Sequence, residues 1–169
     1  MSPVFGKPVF WMNKTQESVT FADLYQIICK TLSESGTVTF TANGTSMLPF
    51  IRGGRDRVTL TALDSDPEKG DVIFYRRKDG SFILHRVIAV KNGAYTFCGD
   101  HQFLRETGVE RGDMIARMTG LERDGKTIDL QSFSHKAYLA CLPLRRAFIR
   151  ASFLLKRALK KAIHIFKRG

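Results

Sequence analysis

From residue 133 to the C-terminus the chain has no aspartate and no glutamate. Over the same stretch it carries ten Lys or Arg (Lys136, Arg145, Arg146, Arg150, Lys156, Arg157, Lys160, Lys161, Lys167 and Arg168). The 169 residues together have a formal net charge of +11, so residues 1–132 hold 17 basic against 16 acidic side chains and are near neutral. A charge of this size points to nucleic acid or an anionic membrane. Its confinement to one end disfavours a body that grips a phosphate backbone. Cysteine is also scarce. Cys29, Cys98 and Cys141 are far apart with no C-x-x-C pair, which argues against a disulfide framework and a thiolate zinc site; neither metal nor cofactor is expected. No stretch approaches the roughly 18 apolar residues of a membrane-crossing helix. The start, MSPVFGKPVFWMNK, lacks the charged-then-apolar pattern of a secretory signal. The expectation is a reducing, cytoplasmic location, with peripheral attachment to the inner face of the membrane left open.

What is present is the composition of a globular protein, 43% hydrophobic and 25% charged, in a length suited to one domain with an appendage. Residues 1–19, broken by Pro3, Gly6 and Pro8, read as an arm. Thr20 and Asp23 form a T-x-x-D capping pattern. Phe21, Leu24, Ile27 or Ile28, and Leu32 then recur at helical spacing up to Gly36. From there to about residue 130 the period is two. TVTFTA (37–42), RVTLTA (57–62), DVIFYR (71–76), SFILHRVIAV (81–90), AYTFC (94–98), MIARMTGL (114–121) and KTIDL (126–130) read as strands. Turn signals separate them, and Asp79-Gly80 and Asn92-Gly93 fit tight hairpins. This pattern predicts a mainly β domain over 20–132, a curled antiparallel sheet or barrel-like body. Residues 133–169 form the tail. Within it Leu144, Phe148, Ala151, Leu155, Ala158, Ala162 and Ile165 alternate steps of four and three, widened by Leu154, Leu159 and Phe166. A basic amphipathic helix over 143–168 follows.

Three places carry residues suited to chemistry. In NGTSMLPF (43–50) a strand ends at Asn43-Gly44, and Ser46 projects a hydroxyl just beyond it. A nucleophile needs such a rigid edge, because the attacking atom must be held within ~3–3.5 Å of a carbonyl. Backbone N–H groups of the same turn can face a developing oxyanion. A turn or capping serine looks the same in isolation. His85 shares its strand face with Ile83, Val87 and Ala89, and apolar neighbours favour the neutral imidazole that a general base requires; a core histidine bonded to a carbonyl fits the same pattern. Asp100, after a strand and Gly99, suits either an orienting carboxylate or a turn.

In order and spacing, these pieces resemble the serine peptidase superfamily of type I signal peptidases and LexA-like self-cleaving proteins. The likeness covers residues 37–121. GTSMLP resembles the G-x-S-M-x-P nucleophile box and Gly70-Asp71-Val72-Ile73 the G-D-[VI]-[VI] box. LHRVI (84–88) resembles the base-bearing strand of the archaeal and endoplasmic-reticulum signal peptidases, which carry His where bacterial leader peptidases carry Lys. CGD (98–100) resembles the K-G-D-N box. The resemblance implies Ser46 as nucleophile and His85 as general base. It leaves Asp100 and Glu106 competing to orient the histidine, Glu106 lying six positions after the box aspartate, where the His-type enzymes carry a second acid. Gly44, Thr45, Met47 and Pro49 would form the oxyanion and substrate cleft, into which a peptide adds as a strand, with small residues beside the cleavage point.

The chain departs from the family at several points. His101 replaces the usual Asn, and IRGGRDRV is one residue longer than I-x-x-G-D-x-V. Gly44 stands where many leader peptidases have an oxyanion-donating Ser, and the N-terminal membrane anchor is missing. The functional expectation is a serine endopeptidase acting on a peptide or protein. The alternatives are a non-catalytic membrane-surface protein that reuses the fold, and a self-cleaving LexA-like regulator. The chain has no Ala-Gly bond for the last, and residues 1–36 offer only one short helix. For the tail, Arg145, Arg146, Arg150, Lys156, Arg157, Lys160 and Lys161 are the candidate contacts to an anionic membrane. Packing of the apolar stripe on the body and binding of nucleic acid or an acidic partner are the other readings, the last the less favoured.

Overall fold

The computed structural model describes residues 21–166. The arm 1–19, the capping Thr20, and Lys167 and Arg168 lie outside them. Helix α1 (Phe21–Ser35) buries Ile28 and Leu32. Gly36, at φ +70°, ends it by donating its N–H to the Leu32 carbonyl at 2.9 Å, a left-handed cap that glycine adopts without steric cost.

Eight strands follow: β1 (Thr37–Thr41), β2 (Arg57–Ala62), β3 (Val72–Arg76), β4 (Phe82–Lys91), β5 (Ala94–Cys98), β6 (Glu106–Val109), β7 (Met114–Arg123) and β8 (Lys126–Thr127). They form one antiparallel sheet in the order β1-β2-β7-β3-β4-β5-β6, with β8 on β7. The path is open, with β1 and β6 at its ends. Register breaks within the β2–β7, β3–β7, β4–β5 and β5–β6 pairings are places where a sheet bends and twists more strongly. The β4–β5 hairpin turns through Asn92 (φ +52°) and Gly93 (φ +74°), the two left-handed positions whose twist matches that of the flanking strands.

Period-two alternation gives the sheet two apolar faces. One side gathers Val58, Leu60, Val72, Phe74, Ala116, Met118 and Leu121 with Ile28 and Leu32 of α1. The other gathers Ile73, Tyr75, Val87, Tyr95, Phe97 and Met114. The central β3 is buried through Val72, Ile73, Phe74 and Tyr75 in succession because both its faces are covered.

The expected strands appear with shifts of a residue or two at several ends, except that KTIDL pairs only over Lys126–Thr127. Strand β6 was not legible: ETGV is short and glycine-interrupted and has no apolar alternation. The C-terminal helix α2 spans Phe133–Phe166, so it begins ten residues before the expected start and takes Pro143 into its interior. Proline there removes one helical hydrogen bond. The turns beside it are held by the body, where Leu142 is 3% exposed and the Phe50 ring lies 5.8 Å from that of Tyr138.

Candidate active site

The turn after β1 carries Ser46. Gly44 sits at φ +91°, and a Cβ at Gly53 would come within 2.1 Å of the Gly44 carbonyl oxygen. Glycine at 53 therefore lets the two ends of this loop touch. Beyond the serine, Leu48 N–H donates to Thr45 O at 3.2 Å and Ile51 N–H to Met47 O at 3.0 Å. Met47 and Phe50 are buried, and Ser46 is half-buried.

The loop after β5 fixes the serine from the other side. His101 N–H donates to the Ser46 carbonyl at 2.8 Å. A Cβ at Gly99 would lie 2.6 Å from that oxygen, too close for any side chain. The glycine of the CGD segment thus has a physical reason: it lets the β5 end press against the serine's backbone. Cys98 pairs with Arg86 in β4, so Gly99 follows that rung and His85 precedes it. The fold brings Ser46 and His85, far apart in sequence, to the same end of the β4–β5 pair. Among the described residues no hydrogen bond joins their side chains.

His85 is 1% exposed and paired with Ile73 of β3. Its Nδ1 lies 2.9 Å from Glu106 Oε1, an approach too oblique to complete a hydrogen bond. Glu106 comes from β6. It also accepts the Tyr75 hydroxyl at 2.9 Å and Arg77 Nε at 2.7 Å on Oε2, and Arg77 Nη2 on Oε1. Burial pushes the Glu106 carboxyl up, but hydrogen bonds from Arg77 and Tyr75 and the nearby His85 outweigh it and hold the group below its ordinary value. Burial pushes His85 below the usual imidazole value, against the attraction of Glu106 and with the help of Arg77. The result is a neutral imidazole beside a carboxylate. With its proton on Nδ1, the side facing Glu106, the Nε2 lone pair is free to take another.

Asp100 does not share this role. It is fully buried, and its oxygens accept Arg86 Nε at 2.9 Å and Nη2 at 2.7 Å, the Tyr138 hydroxyl at 3.0 Å and Arg146 Nη2 at 3.2 Å. Arg86 also donates to Gly70 O at 2.7 Å and lies 4.7 Å over the Phe50 ring. Of the two competing acids, the structure places Glu106 against the histidine and commits Asp100 to tying α2 onto the sheet. Arg146 is engaged in the same cluster, and Arg145 Nη2 sits 3.1 Å from His101 Nδ1; both were expected to be free for an anionic surface. Sequence reasoning missed Tyr75 and Arg77, which hold Glu106. Their only signal is position: Tyr75 pairs with Ile83 on the face that carries His85, and Arg77 directly follows β3.

A cavity of about 170 Å³ opens beside the serine. Gly44, Ser46 and Met47 line it together with Phe40, Phe74 and Phe82. Of the remaining cleft candidates, Thr45 and Pro49 are exposed. Among the described residues no group of His, Cys, Asp or Glu is arranged to hold a metal ion. No protein-family model and no curated protein matches the chain.

Proposed function

We propose that the chain is a serine endopeptidase resembling the type I signal peptidases with a histidine base. The observation that carries this reading is the buried His85, kept neutral and backed by Glu106, at the strand end against which the Ser46 turn is packed. In the proposed mechanism a peptide enters beside Ser46 and its scissile carbonyl meets the serine hydroxyl. His85 Nε2 takes the hydroxyl proton as Oγ attacks, and Glu106 stabilises the imidazolium that forms. The developing oxyanion is met by backbone N–H groups of the Gly44–Met47 turn, and His85 then protonates the leaving amine. Water hydrolyses the acyl-enzyme by the same exchange in reverse. Catalytic hydrogen bonds in ligand-free sites commonly tighten only when substrate binds, and the Ser46–His85 bond forms at that stage. The cavity beside Ser46 accepts an apolar side chain of the substrate. The reading includes a reducing, cytoplasmic setting, in keeping with three unpaired cysteines.

The test is covalent trapping with a serine-reactive fluorophosphonate or boronate, read by intact mass. Wild type takes up one equivalent, Ser46→Ala takes up none, and His85→Ala reacts at least about a hundredfold more slowly. Equal labelling of all three proteins refutes the dyad. The unjoined Ser46 and His85 side chains favour a second reading, a non-catalytic protein that keeps the fold; it predicts a wild type inert to every such probe.

A further inference from the structure

We propose that the outward face of α2 docks on an anionic lipid surface and holds the protein there without crossing it. One side of the helix belongs to the body. Tyr138 and Arg146 bond Asp100, Leu142 is buried, and the Phe153 ring lies 5.2 Å from that of Phe103. The heptad-spaced stripe lies elsewhere on the helix. Leu144 is 76% exposed, Phe148 73%, Leu155 62% and Leu159 54%. These residues run up one side over about 22 Å at 1.5 Å per residue. Large apolar side chains exposed in register along one side of a helix are the kind of surface that marks an interaction site. Among the described residues every side chain from 154 to 161 is exposed, and the apolar stripe there meets no described partner.

The charge identifies the occupant. Arg150, Lys156, Arg157, Lys160 and Lys161 are all exposed, and no acidic side chain follows Asp129 in the sequence to pair with them along the helix. A second copy of the helix would cover the stripe but bring the same cations together with no opposing acid, the reverse of the charge pairing that matches coiled-coil partners. A nucleic acid would satisfy the cations and leave Leu144, Phe148 and Leu155 in water. An anionic bilayer interface satisfies both, with acyl chains for the stripe and headgroups for lysines and arginines whose long stems reach outward. No described helix is long and apolar enough to cross a membrane, so α2 lies in the interface plane.

The experiment uses the full chain and vesicle flotation at low salt. One set of vesicles is phosphatidylcholine alone; the other contains about a third phosphatidylglycerol. Binding to the anionic vesicles should exceed binding to the neutral ones by at least about tenfold and weaken as salt is raised. Replacing Lys156, Arg157, Lys160 and Lys161 together by Gln should remove about tenfold or more of that preference. Phe148→Glu with Leu155→Glu should abolish flotation with an unchanged circular dichroism spectrum, since both positions are solvent-exposed. Failure to float with anionic vesicles overturns the proposal, as does equal binding to both lipids. So does a concentration-dependent dimer in sedimentation velocity that the same Glu pair breaks, since a second copy is then the occupant.

Discussion

Two adjacent residues of β4, His85 and Arg86, point to opposite faces of the sheet, and each meets a carboxylate assembled from the same parts. On one face Glu106 takes a tyrosine hydroxyl from Tyr75, a guanidinium from Arg77 and the imidazole of His85. On the other Asp100 takes a tyrosine hydroxyl from Tyr138 and guanidinium groups from Arg86 and Arg146. The difference is a single partner, histidine in place of a second arginine. Arginine holds its proton at any working pH, so the Asp100 cluster is a fixed clamp. Histidine gives and takes a proton near neutrality, so the Glu106 cluster can do chemistry.

Breaking the clamp should produce the largest effect on the fold. Asp100→Asn leaves Arg86, 3% exposed, without its counter-charge. A buried pair broken from one side costs about 3–5 kcal/mol, so thermal melting should fall by about 10 °C or more. Probe acylation per folded molecule should change far less. The matching change in the other cluster should reverse that pattern. In Glu106→Gln the amide oxygen keeps the Tyr75 hydroxyl and Arg77 Nε at the Oε2 position, and the amide NH₂ at the Oε1 position then faces both Arg77 Nη2 and His85 Nδ1. The imidazole must then carry its proton on Nε2 and cannot accept one from Ser46. Acylation should fall by about a hundredfold or more, with a melting change of only a few degrees. Nitrogen NMR shifts of the ring should report the exchanged tautomer. If Asp100→Asn slows acylation as much as Glu106→Gln does, the division between the two clusters is wrong.

A gentler test is pH. Burial lowers the His85 value in the folded protein below the roughly 6.5 of an unfolded chain. The folded state therefore binds this proton less readily than the unfolded state. The stability the neutral imidazole contributes is complete above about pH 6.5 and is lost as pH falls through the lowered folded value. Acylation should follow the same limb, reaching a plateau at neutral pH and declining in acid with a midpoint below 6.5. A midpoint above 7 would mean that Glu106 outweighs burial. The smallest expected effect is that of Tyr138→Phe, which removes one hydrogen bond to Asp100 and leaves both arginines. Chemical denaturation should report a loss of about 1–2 kcal/mol, with acylation unchanged.

The sheet was legible because its strands alternate and their turns are marked by Asp-Gly and Asn-Gly pairs, both short-range signals. Ser46, His85 and Glu106 were reachable from the order of short segments along the chain. The choice between Glu106 and Asp100 was not, since it rests on partners supplied from 38 and 46 residues away on α2 in one case and from β3 in the other. The start of α2 was hidden for a related reason. FSHKAYLACL carries no clean apolar period, because the face it turns to the body is partly polar: His135 and Tyr138 are half-buried against Phe50, and Tyr138 bonds Asp100. The outward stripe was visible in the sequence, but its direction was not, since apolar spacing alone does not say what it faces.

The alternation of β4 makes strand register a component of the site. A slip of one residue against β3 and β5 would exchange the two side chains, turning the imidazole toward Asp100 and its arginines and Arg86 toward Glu106. No atom of either residue would have changed, yet neither cluster would survive. Insertions are therefore tolerable at the Asp79–Gly80 and Asn92–Gly93 turns, where loop length is absorbed outside the ladder. A single residue added between Phe82 and Arg86, within the register with β3, should be as damaging as loss of the histidine itself.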